Sequence, residues 1–244
     1  MVEELILDMG ILDIVHPNMS LLNETDQAAF AMTRRSGLGA SDSSVILGVN
    51  KWTTIAELIE EKQSIGITAK ELEVGQKESV RMGRDLEPIV LKKFEQWSGM
   101  QVEKPSPMYR IKEQPQLTIN FDGVLDLGGQ LVPVEAKCVS MFGDKYWDKT
   151  KSLSNLASGT KYSYYAPTVE EMIETVSKMY GIPSYYFTQV QQQMMGLNAE
   201  FGYLAVIFLK GWDFKVFKIY RDERIQEALV QHSQQVWLKV KGET

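Results

Sequence analysis

Residues 117–138 read LTINFDGVLDLGGQLVPVEAKC, two apolar, alternating segments on either side of Gly128-Gly129. Paired glycines between such segments signal a two-residue hairpin turn, because glycine alone accepts positive φ at both central positions without steric cost. With the turn placed there, facing residues share a position sum of 257, which sets Asp122 opposite Glu135. Strand side chains alternate, so Lys137 shares the Glu135 face while Val134, Ala136 and Cys138 point into a core. Elsewhere the helical period dominates. Thr54-Ile55-Ala56-Glu57 and Thr168-Val169-Glu170-Glu171 are capping boxes; the first opens a helix to about Lys62, the second a helix stopping at Gly181-Ile182-Pro183. A helix is expected from near Met82 to Ser98-Gly99, since Leu86, Ile89, Val90, Phe94 and Trp97 recur at helical spacing, and Pro88 then has to lie near its first turn. Met108–Ile111, residues 203–209 and residues 214–220 read as strands, the last two an antiparallel pair about a turn at 210–213. Tyr185-Tyr186-Phe187 reads as strand, followed by a helix at 189–200, and Asp222 caps a last helix through Trp237. Residues 1–30 show a weak helical pattern, Leu5, Met9 and Leu12, broken at His16-Pro17. They read as an acidic N-terminal arm or helix, with one domain over residues 31–244.

Composition narrows the function classes. The chain has 244 residues, 44% of them hydrophobic, enough for a packed core. No run approaches the roughly 18 apolar residues of a membrane span. The segment MVEELILDMG is acidic where a signal peptide is basic, so a cytoplasmic protein is expected. One cysteine excludes internal disulfides, four-cysteine zinc sites and cysteine-ligated iron-sulfur clusters, and Cys138 reads as a small core residue. Two histidines, His16 and His232, leave little basis for Ser-His-Asp hydrolysis or a His-rich metal site. The net charge is −6, but residues 1–30 hold six acids and no Lys or Arg, so the remaining 214 residues balance at 26 against 26. Any contact with nucleic acid must therefore come from local patches.

Four local patterns carry candidate chemistry. Facing strand residues have Cβ atoms roughly 5 Å apart, so Asp122 and Glu135 can reach a single hard cation with Lys137 beside it. The alternative is a surface hairpin with a cross-strand salt bridge. Arg34-Arg35 precede Gly37, Gly39 and Ser41-Asp42-Ser43, a glycine-rich turn opening a helix, which suits a phosphate; plain N-capping by Ser41 or Asp42 is the alternative. Glu87 lies beside the apolar stripe of its helix and is either salt-bridged or turned toward the metal. Lys137, Lys145, Lys149, Lys151 and Lys161 are interleaved with Phe142, Tyr146, Trp147, Tyr162, Tyr164 and Tyr165. Such a mixture either grips a single strand or consists of buried aromatics with solvated lysines.

Asp122 followed by Glu135-Ala136-Lys137 resembles the core of the PD-(D/E)xK nucleases, with Phe121 where that motif has proline. Three further stretches accompany it in order: Arg34 with Gly37-Leu38-Gly39-Ala40-Ser41-Asp42 and Ile46-Leu47-Gly48, then Met82-Gly83-Arg84-Asp85-Leu86-Glu87, then Gln189-Val190-Gln191. Together they resemble the motifs of the YqaJ-like viral recombinase family, which includes lambda exonuclease, over roughly residues 33–225.

That resemblance implies an α/β (α+β) fold with a restriction-endonuclease-like core, a central mixed β-sheet flanked by helices. It implies 5′ to 3′ digestion of one strand of duplex DNA, giving 3′ tails for a phage-type annealing protein. The enzyme would act at DNA ends within a ring-shaped homo-oligomer, a trimer favoured, in the cytosol of a bacterial host. Asp122, Glu135 and the Ala136 carbonyl would bind Mg²⁺, two ions being expected and Mn²⁺ a substitute, with Glu87 reaching the centre from its helix. Lys137 would orient or deprotonate the attacking water, Gln189 would hold lysine or water, and Arg34 and Ser41 would receive the 5′ phosphate. Lysine acts as a base only if its pKa falls, which neighbouring carboxylates oppose, so water positioning is preferred for Lys137. The interval from Lys137 to Gln189 is longer than in the lambda enzyme, which points to an insertion over 150–183. An endonuclease of the same fold and a non-catalytic DNA-end binder are the competing readings.

Overall fold

The computed structural model describes residues 1–68, 71, 73, 75, 77–153 and 166–243. In chain order the elements are α1 (Val2–Asp8), β1 (Leu12–His16), α2 (Met19–Thr25), α3 (Gln27–Arg34), β2 (Leu38–Gly39), α4 (Ser43–Ile46), α5 (Ile55–Gln63), α6 (Glu78–Ser98), β3 (Met108–Ile111), β4 (Gln114–Ile119), β5 (Gly123–Asp126), β6 (Leu131–Val139), α7 (Val169–Tyr180), α8 (Ser184–Leu197), β7 (Phe201–Phe208), β8 (Asp213–Tyr220) and α9 (Glu223–Lys241). The fold is mixed α/β as expected, but the single central sheet is replaced by two four-stranded sheets, ordered β1-β3-β4-β2 and β5-β6-β7-β8. Each is mixed, parallel at β2–β4 in one and at β6–β7 in the other.

The division falls inside the stretch read as one hairpin. β4 ends at Ile119, Phe121 turns inward against Tyr109 with ring centroids 5.9 Å apart, and the chain resumes as β5 in the other sheet. Gly123 permits this corner, because a Cβ there would meet the Val102 side chain at 2.4 Å. Residues 117–119 thus pair with β2 and β3 rather than with β6.

Thr54 and Thr168 cap α5 and α7: Thr54 Oγ1 accepts the Glu57 N–H at 3.3 Å and the Thr54 N–H donates back to Glu57 Oε2 at 2.8 Å, a full capping box, while Thr168 Oγ1 accepts the Glu171 N–H at 3.2 Å. Two boundaries differ. α6 begins at Glu78, because its polar first turn shows no apolar period, so Pro88 lies in the helix interior. There it cannot donate to the Arg84 carbonyl, a cost the helix bears while burying Val90, Leu91 and Phe94 against the second sheet. Tyr185-Tyr186-Phe187, read as strand, belongs to α8. The local β preference of aromatic residues is overridden because Phe187, Val190 and Met194 continue at helical spacing and are fully buried in the main core. α9 also runs past Trp237 to Lys241.

Residues 1–30 supply α1, the edge strand β1, α2 and the start of α3, with Val2, Ile6 and Leu12 in the main core. β1 pairs antiparallel with β3. Within the stretch expected as an insertion, 150–183, the described part is 150–153 and 166–183, including α7. Residues 154–165, with Lys161, Tyr162, Tyr164 and Tyr165, lie outside the described residues. Among the described residues no helix is long and apolar enough to cross a membrane.

Candidate active site

The β5–β6 hairpin takes the expected register. Gly123 faces Val134 and Asp126 faces Leu131. Gly128 and Gly129 have φ of +74° and +94°, and the Leu127 N–H donates to the Gln130 carbonyl at 3.0 Å. Asp122 sits one residue before this ladder. Instead of merely opposing Glu135 it reaches across to β6, where its Oδ2 accepts the Ala136 N–H at 3.0 Å.

Glu135 is fully buried and bonded at both oxygens. Oε1 accepts from Gln189 Nε2 and pairs with Lys137 Nζ, and Oε2 accepts from Gln193 Nε2 at 2.6 Å. Burial first, and then the neighbouring Asp122 charge, push the Glu135 carboxyl up to about 7. Burial opposes the Lys137 ammonium, but Glu135 and Asp122 outweigh it and hold this lysine above its ordinary range. A lysine held charged donates hydrogen bonds and has no lone pair with which to take a proton. Its Nζ also lies 5.5 Å from the centroid of the Tyr186 ring.

Glu87 on α6 takes the salt-bridged reading. Lys104 Nζ lies 2.5 Å from its Oε1, while burial and the Asp122 charge raise its carboxyl despite that partner, so it sits within the field of the hairpin acids.

The glycine-rich turn separates the two arginines. Arg34 is exposed, and its Nη2 donates to Ser41 Oγ at 3.4 Å. Arg35 is buried, bonded to the Ser64 carbonyl at 3.3 Å and to the Gly66 carbonyl and Glu71. Asp42, offered as an N-cap, is buried behind the exposed pair; its Oδ2 accepts the Gly39 N–H at 2.8 Å and lies 2.7 Å from Lys62 Nζ. Burial works against its charge, but Lys62 and Arg34 bring the carboxyl below its usual value. Lys62 also donates to the Arg34 carbonyl at 3.3 Å, so one buried lysine ties the turn to the helix that precedes it.

Helix α8 joins the two regions. Gln189 and Gln193, one helical turn apart, bind Glu135. Gln192 Nε2 donates at 3.0 Å to both the Leu38 and the Thr118 carbonyls, behind the anion turn. Gln191 donates to the Tyr220 carbonyl at 2.9 Å and accepts the Asp222 N–H at 3.0 Å. Sequence reasoning named Gln189 but missed Gln193, Lys62, Lys104 and Tyr186. Gln193 had a signal in its i+4 spacing from Gln189; the lysines had none, since each meets its acid only through tertiary packing.

The donor chemistry suits a hard divalent ion. Asp122, Glu135 and Glu87 are oxygen donors, and the Asp122 charge raises the pKa of the other two, a repulsion that a cation would relieve. Among the described residues no three Asp, Glu, His or Cys side chains converge into a ready set of ligands.

The model of the YqaJ-like viral recombinase domain family matches residues 29–196. The chain is 27% identical over 218 residues to the uncharacterized protein YqaJ of Bacillus subtilis (strain 168), an alignment covering 88% of this chain and 56% of that protein. The chain therefore spans little more than half the length of this curated relative. Crystal structures of the alkaline exonuclease LHK-Exo, from Laribacter hongkongensis, share the fold. One matches with a TM-score of 0.55, and a second, in complex with dAMP, with 0.57, each at 14% identity. They cover 86% and 87% of this chain and 90% and 91% of the matched chains.

Proposed function

Because the chain belongs to the YqaJ-like viral recombinase domain family, we propose that it is a metal-dependent nuclease digesting one strand of linear duplex DNA from 5′ to 3′. The product would be 3′ single-stranded tails for strand-annealing recombination. The observation that carries this reading is the buried Glu135, bonded at both oxygens by Gln189, Gln193 and Lys137, with Asp122 fastened to the same strand. LHK-Exo, whose fold the chain shares, is an alkaline exonuclease seen with dAMP.

In this reading Asp122, Glu135, the Ala136 carbonyl and Glu87 hold Mg²⁺, two ions being expected, with Mn²⁺ able to substitute. When bound, the metal supplies Lewis-acid stabilisation of charge on the scissile phosphate. Lys137, kept charged, donates to the attacking water and fixes its line of approach. Gln189 and Gln193 fix the Glu135 carboxylate by one oxygen each. Arg34 and Ser41 receive the 5′ phosphate as a paired cation and hydroxyl, which favours phosphorylated ends. The partners would be duplex DNA ends, further copies of the chain in a ring, a trimer favoured, and a single-strand annealing protein in a bacterial cytosol.

The test is digestion of linear duplexes labelled at one 5′ or one 3′ end, with phosphate or hydroxyl termini. Mg²⁺-dependent release of mononucleotides from the 5′ end is expected. Cleavage of closed circular DNA at a comparable rate would make the protein an endonuclease. No cleavage in Mg²⁺ or Mn²⁺ would make it an end binder.

A further inference from the structure

Lys104 belongs to none of the motifs read from the sequence, yet it is the cation placed on Glu87, with its Nζ 2.5 Å from Oε1. The Glu87 side chain is 20% exposed and that of Lys104 47%, so the pair lies at the edge of the carboxylate group and opens to solvent on the lysine side. Burial and the Asp122 charge raise the Glu87 carboxyl, while Lys104 and Lys137 pull it down. The three acids are thus faced by two ammonium groups, Lys137 on Glu135 and Lys104 on Glu87. The proposed hydrolysis gives a task to the first and none to the second.

The backbone beneath Lys104 is fixed from two sides. Glu103 bridges to Val124: the Glu103 N–H donates to the Val124 carbonyl at 3.0 Å, and the Val124 N–H donates back at 2.7 Å. Val124 follows Asp122 closely in the chain, so this bridge sets the lysine in register with the hairpin acid. On the other side the N-terminal arm grips the same segment. The Val2 N–H donates to Glu103 Oε2 at 3.1 Å, Glu3 Oε1 accepts the Ser106 N–H at 2.7 Å, and the Met19 N–H donates to the Ser106 carbonyl at 2.9 Å. Val2 and Ile6 anchor that arm in the main core. A surface ion pair is ordinarily worth little, because two long side chains must be held in one geometry. Here the chain under the lysine is already held, and the Glu87 partner is mostly buried.

We propose that Lys104 is a positioning residue acting as a tethered counter-cation, which occupies Glu87 until a divalent ion displaces it and so sets how much metal the site requires. This rests on the nuclease reading for the presence of a metal. The competition is electrostatic. A carboxylate shared with an ammonium is a poorer donor to a second cation, and the ammonium repels that cation at short range. Removing the lysine charge therefore frees Glu87 and tightens the ion. Residues 1–30 acquire a role by the same argument, since the arm holds the segment that carries the competing charge.

The test is a titration of the full chain with Mn²⁺ in the absence of DNA, the free ion being read by electron paramagnetic resonance. Lys104→Met should bind Mn²⁺ about tenfold more tightly than the unmodified protein. Lys104→Gln, which also removes the charge, should show the same gain, and Lys104→Arg, which keeps it, should show none. In a Glu87→Gln background most of the gain should vanish, because the contested carboxylate is gone. Unchanged affinity in the Met and Gln variants would overturn the proposal and leave an ordinary surface ion pair. Weaker affinity would overturn it too, making Lys104 a support for the ion instead of its competitor, as would a gain that survives Glu87→Gln in full. Digestion in Mg²⁺ separates the two ideas. Cutting with Mn²⁺ affinity indifferent to Lys104 removes this inference alone, and a Lys104-dependent affinity without cutting removes the nuclease reading alone.

Discussion

Gln193 Nε2 donates to Glu135 Oε2 at 2.6 Å, with both side chains inaccessible to solvent. Replacing this donor by a hydrocarbon leaves a buried carboxylate oxygen short of a partner. Gln193→Leu should lower folding stability by about 1–3 kcal/mol and reduce kcat more than it raises KM. Urea denaturation and steady-state digestion check this; an unchanged midpoint would show that the bond contributes nothing.

The raised carboxyl of Glu135 makes stability depend on pH. Its folded value, about 7, exceeds its ordinary 4.5, so the folded protein binds the extra proton. That contribution is complete below the ordinary value and is lost as pH rises through about 7, amounting to at most roughly 3–4 kcal/mol at about 1.4 kcal/mol per unit. Glu87, also raised, acts in the same direction. Metal-free protein should lose stability between pH 4.5 and 7, Glu135→Gln should flatten much of that slope, and added Mg²⁺ should oppose it. Thermal melts across this range are the measurement.

Asp122 is tied to the Ala136 backbone, not to a side chain that would be left uncompensated. Asp122→Ala should therefore abolish hydrolysis, by at least about a thousandfold, while leaving duplex binding measurable. Turnover near that of the unmodified protein would remove Asp122 from the site.

Arg34 is exposed and paired with Ser41, so its loss should spare the fold. Arg34→Ala should reduce the preference for 5′-phosphorylated over 5′-hydroxyl ends about tenfold, the order of one or two charge-assisted bonds. Equal rates on both ends in both proteins would dismiss the role.

The Asp42–Lys62 pair behind that turn is buried, and breaking it strands a charge. Lys62→Met should cost about 3–5 kcal/mol, and adding Asp42→Asn should restore a large part of the loss. A double-mutant cycle by denaturation gives the coupling directly.

Sequence showed what is local. The hairpin register follows from two glycines and a period of two, and the helix caps from bonds spanning three residues, whereas Arg34 and Ser41 were joined only through the family resemblance. Tertiary contacts decided what sequence did not show. Nothing near Phe121 reveals that Gly123 will turn a corner against Val102, so one sheet was read where there are two. The residues at 185–187 carry strand propensity, yet their burial continues the helical stripe of Val190 and Met194. Lys62 and Lys104 carried no signal, because the acids they meet, Asp42 and Glu87, are 20 and 17 positions away and reach them only through tertiary packing. Within the site, the acids and the lysine of the hairpin were legible, and the second glutamine that holds Glu135 showed only its i+4 spacing from Gln189.

The glutamines of α8 have a consequence in time as well as in space. Gln192 binds Leu38 across 154 positions and Thr118 across 74, Gln193 binds Glu135 across 58, and Gln191 binds Tyr220 across 29. Contacts this remote are made only after the intervening loops have closed, and loop closure slows with separation along the chain. Helix α8 completes its bonding only once both sheets exist to receive it. The bonds that fix Glu135 to Gln189 and Gln193 close loops of 54 and 58 positions, so the carboxylate group raises the contact order of the fold and is expected to slow its formation.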